Sequence, residues 1–245
     1  FMAGESAERQ EQGVIKAISM SVTKNKNKPI TLVAGDTTLG EVIRASKFTG
    51  RQAGGSEPYT DVVIHTKKRN YNCSLKGTSA PSLAGGGLRG LELIIPGITT
   101  KFMRSAFHKL KYTLKLKAGD KVPDVFGKIH NSIKEKIVIG TVQMGGEVDF
   151  MYIGPMDVVS ASVAFNASNA TLTLNGNLIE SKHYAKTHDL YFRLRARRED
   201  QTFDPESVDK NGVPKIYGKS PSKGDSAGRI VITDKIPKNA IIVNV

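Results

Sequence analysis

SEPYTDVVIHTKKRNYNCSLK, residues Ser56 to Lys76, decides how this chain is organised. Asp61 opens a short apolar strand, a basic turn follows, and a second strand ends in Ser74-Leu75-Lys76. Side chains alternate along a strand with period two. A hairpin centred on Lys68–Arg69 therefore sets Asp61 opposite Lys76 on one face of the sheet. A three-residue turn would flip one strand and part the two side chains. With the strands in that register, a carboxylate and an ammonium share the end of a sheet. Metal-dependent phosphodiester chemistry needs this pair: the carboxylate holds a divalent cation and the lysine orients or activates water. Cys73, the one cysteine, points away from Ser74 and Lys76 and reads as a buried, inert thiol. A lone cysteine excludes an internal disulfide framework and a cysteine-based zinc cluster.

Upstream, Ala3 to Met20 has a helical pattern, with Val14, Ile15 and Ile18 as its apolar stripe. Glu11 lies three, four and seven positions before them, on the inward side. Two explanations stand: a helix-start carboxylate facing water, or an acid directed into a functional site. Glu8, one turn earlier, is the alternative acid, and Glu5 reads as a solvated first-turn residue. Thr23 to Lys28 is a polar connector before Pro29, and Leu39 to Ser46 is expected to form a short helix with Thr38 near its start. Gly50 to Ser56 is a glycine-rich loop into the Asp61 strand. After Lys76 comes GTSAPSLAGGGLRG, either a loop whose bare N–H groups cradle phosphate or a plain connector. It lacks the Lys-Ser/Thr ending of a nucleoside-triphosphate loop. Glu92 sits in a Leu-Glu-Leu-Ile-Ile run that begins a helix or forms a buried strand, as a metal ligand or as a satisfied structural acid.

The whole run, from helix through Asp strand and Lys strand to small-residue loop, resembles the core of the PD-(D/E)xK nuclease superfamily. That family contains most type II restriction endonucleases and many phage and repair nucleases. Asp61 matches its first acid and Ser74-Leu75-Lys76 its acid-x-Lys motif, with Ser74 in place of the usual Asp or Glu. Some restriction enzymes with Ser-x-Lys take the missing carboxylate from a Glu on the following helix, which here points to Glu92. The resemblance implies an α/β fold with a restriction-endonuclease-like mixed sheet flanked by helices, and a β-rich C-terminal half. It also implies Mg²⁺-dependent cleavage of double-stranded DNA by an endonuclease of restriction type or phage origin, with Mn²⁺ as a substitute ion. Asp61 with Glu11 or Glu92 would hold the metal, and Lys76 would position water. Ser74 would contribute at most a hydrogen bond. A homodimer is compatible with this reading.

Composition points the same way with less specificity. Thirty-six Lys and Arg against 23 Asp and Glu give a net charge of +13, which favours a polyanionic partner. Lys101 to Lys117 carries six basic residues and no acid, with Phe102, Ala106 and Leu110 at four-residue spacing. It reads as a basic amphipathic helix whose basic face, with Lys109 and Lys111, either contacts phosphates or is simply solvated. Asp120 to Lys136 reads as a loop and helix, where Pro123-Asp124 is a decoy because no acid-x-Lys strand follows. From Ile137 the period becomes that of strands, and Asn175-Gly176 is a hairpin-turn signal. Asp189 to Arg197 alternates, with Tyr191, Arg193, Arg195 and Arg197 on one side. This suits a half-buried sheet edge lying on nucleic acid, or arginines that are ordinary surface charges. Thr202 to Arg229 reads as a long mobile segment, and Ile230 to Val245 as two short strands around Pro237. The expected division is a nuclease core over 1–136 and a β-rich part over 137–245.

Other chemistries lack their signals. His65, His108, His130, His183 and His188 form no zinc-hydrolase or HNH-like pattern, and there is neither a Gly-x-Ser-x-Gly elbow nor a Rossmann fingerprint. Without tryptophan, a single-strand stacking platform is disfavoured. Phe1-Met2 resembles a remnant ahead of a native start. No apolar run approaches the ~20 residues of a membrane span and no signal peptide is visible, so the cytoplasm of a cell or infected host is the expected location. A non-catalytic basic nucleic-acid-binding or virion protein is the alternative to a nuclease.

Overall fold

The computed structural model describes residues 3–50, 58–78, 87–224 and 228–245. Along the chain run α1 (Ala3–Lys24), β1 (Ile30–Ala34), β2 (Thr37–Lys47), β3 (Val62–Thr66), β4 (Asn70–Gly77), α2 (Gly87–Ile94) and α3 (Ile98–His108). They are followed by β5 (Val125–Lys128), α4 (Asn131–Ile139), β6 (Phe150–Gly154), β7 (Ala161–Phe165) and β8 (Ala170–Leu174). The last elements are β9 (Asn177–Glu180), α5 (Ser181–Thr187), β10 (Tyr191–Arg195), β11 (Arg229–Thr233) and β12 (Ile241–Val243). The class is α/β, with a mixed eight-stranded sheet and a second sheet of four strands.

The chain folds into two compact units, each built from two separate stretches. One takes residues 1–81 and 135–187, the other 82–134 and 188–245. The expected boundary at 136/137 gives way for a physical reason. Residues Cys73 to Gly77 of β4 pair in parallel with Phe150 to Gly154 of β6, so strands from beyond residue 137 complete the N-terminal sheet.

In the first unit the strand order is β7-β8-β1-β2-β3-β4-β6-β9. Val14 and Ile18 of α1 pack with Leu32, Ile64, Cys73, Leu172 and Leu178 into one core. Each such fully buried aliphatic is worth roughly 1.5–3 kcal/mol, against tenths for helix propensity, so the sheet rather than the helix's own preference fixes α1. β8 and β9 are joined only through Asn175-Gly176, yet stand second and eighth in the order. The hairpin expected there does not form. The short link instead requires the sheet to curl until its ends approach each other. Asn175 secures that corner: its Oδ1 accepts from the Tyr152 hydroxyl and the Ser160 N–H, and its amide donates to the Val158 carbonyl.

The helix expected over Leu39–Ser46 is the middle of β2. Leu39, Val42 and Ala45 are buried at three-residue spacing, which imitates a helical face. Irregularities in the pairing with β1, near Leu39, and with β3, near Ile43, shift the side-chain phase along the strand. Ile43 is left 50% exposed.

In the second unit the order is β11-β10-β5-β12. β10 is therefore an interior strand and not the edge its sequence suggests. α3 runs as expected with Phe102 and Ala106 fully buried, then passes into a π-turn over Lys109–Thr113 where Leu110 is also buried. The segment after Thr202 is packed rather than mobile in its described residues. Phe203 bridges Tyr217, and Phe203, Ile216 and Tyr217 are all buried.

Candidate functional site

The hairpin of β3 and β4 forms, with a register two residues from the expected one. Val62 faces Cys73 and His65 faces Asn70, so the two-residue turn is Lys67–Lys68. Thr66 sets it: its Oγ1 accepts from the N–H groups of Lys68 and Arg69 and donates to the Arg69 carbonyl. Asp61, one step before Val62, thus lies beside Ser74 and not opposite Lys76. A slip of two keeps every side chain on its face, so Lys76 remains on the Asp61 side. Cys73 is buried and free on the other side as expected, its thiol pushed up to about 12 by burial.

Asp61 is gripped by β4. Its Oδ2 accepts from the Leu75 N–H at 2.7 Å and the Ser74 hydroxyl at 3.2 Å, while its backbone N–H donates to the Cys73 carbonyl. No described residue donates to Oδ1. Desolvation raises the Asp61 pKa; Lys76, the Leu75 N–H and Ser74 oppose that, and the Glu11 charge adds to it. Glu11 and Lys76 are therefore both close enough for Asp61 to feel their charge.

α1 supplies Glu11 and, one residue before it, Gln10. Glu11 is mostly covered and accepts an ion pair from the Lys47 ammonium at 3.0 Å. The Lys47 pKa is raised first by its hydrogen bond and charge contact with Glu11, then by the charges of Glu8 and Asp61. Of these acids, Glu11 is the one in contact with the exposed Lys47 ammonium. Gln10 is 1% exposed, and its amide nitrogen donates to the carbonyls of Lys76, Gly154 and Pro155. It ties the Glu11 turn to the ends of β4 and β6. Sequence reasoning missed both Lys47 and Gln10. Extending the Val14–Ile18 stripe back by four residues lands on Gln10, a usable signal; Lys47 was hidden by the helix wrongly expected over β2.

Glu92 is engaged elsewhere. Within the second unit its Oε2 accepts from the Gly97 N–H at 2.6 Å, and its Oε1 accepts from the Thr99 N–H and hydroxyl. Against some desolvation, these bonds hold its pKa below the ordinary carboxylate range. It caps the start of α3, so the expectation that it completes the Asp61 site is withdrawn: both oxygens are already taken.

The expected DNA-contacting residues lie in the second unit. Tyr191 is buried between β11 and β5 and cannot lie on a ligand as expected. Arg193 Nε donates to Asp124 at 2.7 Å, so the decoy acid is a structural partner. Arg195 and Arg197 line a cavity of about 950 Å³. Lys109 and Lys111 are half-buried in the π-turn, and Lys111 lies 5.2 Å over the Phe107 ring. Of the small-residue loop after Lys76, residues 79–86 lie outside the described residues.

Among the described residues no group of three His, Cys, Asp or Glu side chains is placed to cage an ion. Two mutually repelling carboxylates, one with an oxygen to spare, suit a hydrated Mg²⁺, which keeps several waters and takes one or two carboxylates. Compared with family models, curated proteins and solved structures, the chain matches none.

Proposed function

We propose that the corner formed by α1 and the ends of β2, β3 and β4 is the active site of a Mg²⁺-dependent endodeoxyribonuclease. The observation that carries this reading is the gathering of Asp61, Glu11 and Lys76 at one corner: Asp61 feels the charge of both, and Glu11 is held 3.0 Å from the exposed Lys47 ammonium. Asp61, held by Leu75 and Ser74 with Oδ1 free of described partners, would be the fixed ligand. Glu11 would be the second, released when the exposed Lys47 side chain swings aside. Bound there, Mg²⁺ would polarise the scissile phosphate and lower the pKa of a bound water. Lys76, on the Asp61 side of β4, would hold the attacking water and offset charge on the phosphate, and Gln10 would keep the Lys76 strand and the Glu11 turn in step. The net charge of +13 would recruit DNA.

Closed circular plasmid has no ends, so an exonuclease cannot attack it, and a nicked open circle reports endonuclease cleavage. The native protein should nick it with Mg²⁺ and not with EDTA. Asp61→Asn and Lys76→Ala should each slow nicking about 10²-fold, the usual worth of a metal ligand or positioned electrostatic group. DNA binding without metal-dependent nicking would favour a non-catalytic nucleic-acid-binding protein instead.

A further inference from the structure

Among the described residues, the cavity in the second unit is lined by more cations than anions. One lysine and five arginines line it against two carboxylates, Asp124 and Glu199. Arg195 of β10 and Arg229 of β11 are direct cross-strand partners, at the end of the ladder that runs from Tyr191 opposite Thr233. Side chains so placed have Cβ atoms about 5 Å apart, and like charges there repel. On its other side Arg195 has Asp124 one step beyond the Leu194–Val125 pair, yet Asp124 gives Oδ2 to Arg193. The Arg195 Nε is buried with no hydrogen-bond partner among the described residues. A buried guanidinium donor without an acceptor is costly. Two guanidinium groups that can reach one point from paired strand positions are held there favourably when an oxyanion sits between them.

We infer that this cavity is a phosphate-binding site, with Arg195 and Arg229 as its paired donors and Lys121 as a third cation. A guanidinium fork matches two oxygens of a phosphate at once, which a lysine or a backbone N–H does not. The cavity has the volume of a ligand pocket rather than of a single ion, so the phosphate belongs to a larger molecule. That molecule is either a nucleic-acid strand or a free phosphorylated compound. The inference rests on the second unit alone and stands whether or not Asp61 belongs to a nuclease site.

The test is calorimetric titration of the full chain with inorganic pyrophosphate in EDTA, which removes any metal-held phosphate at Asp61. Binding should be measurable in the native protein and in Asp61→Asn, and at least tenfold weaker in Arg195→Gln and in Arg229→Gln. Arg229 is exposed, so Arg229→Gln is decisive even where Arg195→Gln folds poorly. Arg229→Lys should retain part of the affinity. A second arm titrates a short DNA duplex into the same variants. A parallel loss assigns the phosphate to a strand, and an unchanged duplex affinity assigns it to a free compound. No pyrophosphate binding by the native protein, or equal binding by Arg229→Gln, overturns the proposal.

Discussion

Asp61 and Glu92 are both carboxylates that accept backbone N–H donors next to a hydroxyl, yet their surroundings pull in opposite directions. Glu92 gives both oxygens to the start of α3, and its proton affinity falls. Asp61 satisfies one oxygen, sits in a desolvated corner with Glu11, and its proton affinity rises. A structural acid is saturated by its fold. An acid whose ionisation the fold opposes costs stability at neutral pH, which is what motivates the proposal that Asp61 serves a site.

The contrast breaks most visibly on substitution. Asp61→Asn should abolish most nicking while raising the thermal midpoint near neutral pH, because it removes a carboxylate that is costly to ionise. Glu92→Ala should do the reverse, costing about 1–2 kcal/mol of stability through the lost cap while leaving nicking by the folded protein intact. Calorimetric midpoints and plasmid assays on the two variants check both arms. Equal loss of activity in both would return Glu92 to the site.

Lys47 sharpens the comparison with a smaller effect. Lys47→Gln removes the internal cation that competes for Glu11, so Mg²⁺ affinity should rise several-fold, by the weight of one nearby charge at a partly solvated site. A weaker affinity would make Lys47 a support for the metal site and not its competitor.

The smallest effects are opposite slopes of stability with pH. The folded pKa of Asp61 lies above its unfolded value, so the native state binds more protons in the window just above the ordinary carboxylate value. Stability therefore falls as pH rises through that window. The folded pKa of Glu92 lies below its unfolded value. Its contribution is present above the ordinary carboxylate value and is lost as pH falls through the depressed one. Denaturation of Asp61→Asn and Glu92→Gln across pH 3 to 7, a span set by ordinary carboxylate titration, should flatten one slope each.

What the sequence made legible was local. The Val14–Ile18 stripe placed α1, and alternation across Val62–Ile64 and Cys73–Leu75 placed the hairpin and the Asp61–Lys76 face. Its exact pairing depended on one side chain, Thr66, which closes the turn one residue earlier than expected and so shifts the pairing by two. β2 was misread because its bulges gave a strand the spacing of a helix. The interior position of β10 was invisible because its partners β5 and β11 come from residues far before and after it. The division into two interleaved units likewise depends on β4 meeting β6 across more than seventy residues. Glu92 illustrates the limit of motif reasoning: the donors that occupy it, Gly97 and Thr99, follow within seven residues, but only the α2–α3 junction brings them to it.

Whether Asp61 anchors a divalent cation can be read from the thermal midpoint of the native protein and of Asp61→Asn as Mg²⁺ is titrated. A ligand that binds only the folded state raises the midpoint in proportion to the logarithm of its excess over Kd. The midpoint should rise for the native protein and stay flat for Asp61→Asn, which should fold at least as stably without metal. An identical Mg²⁺ response in the two proteins would contradict it.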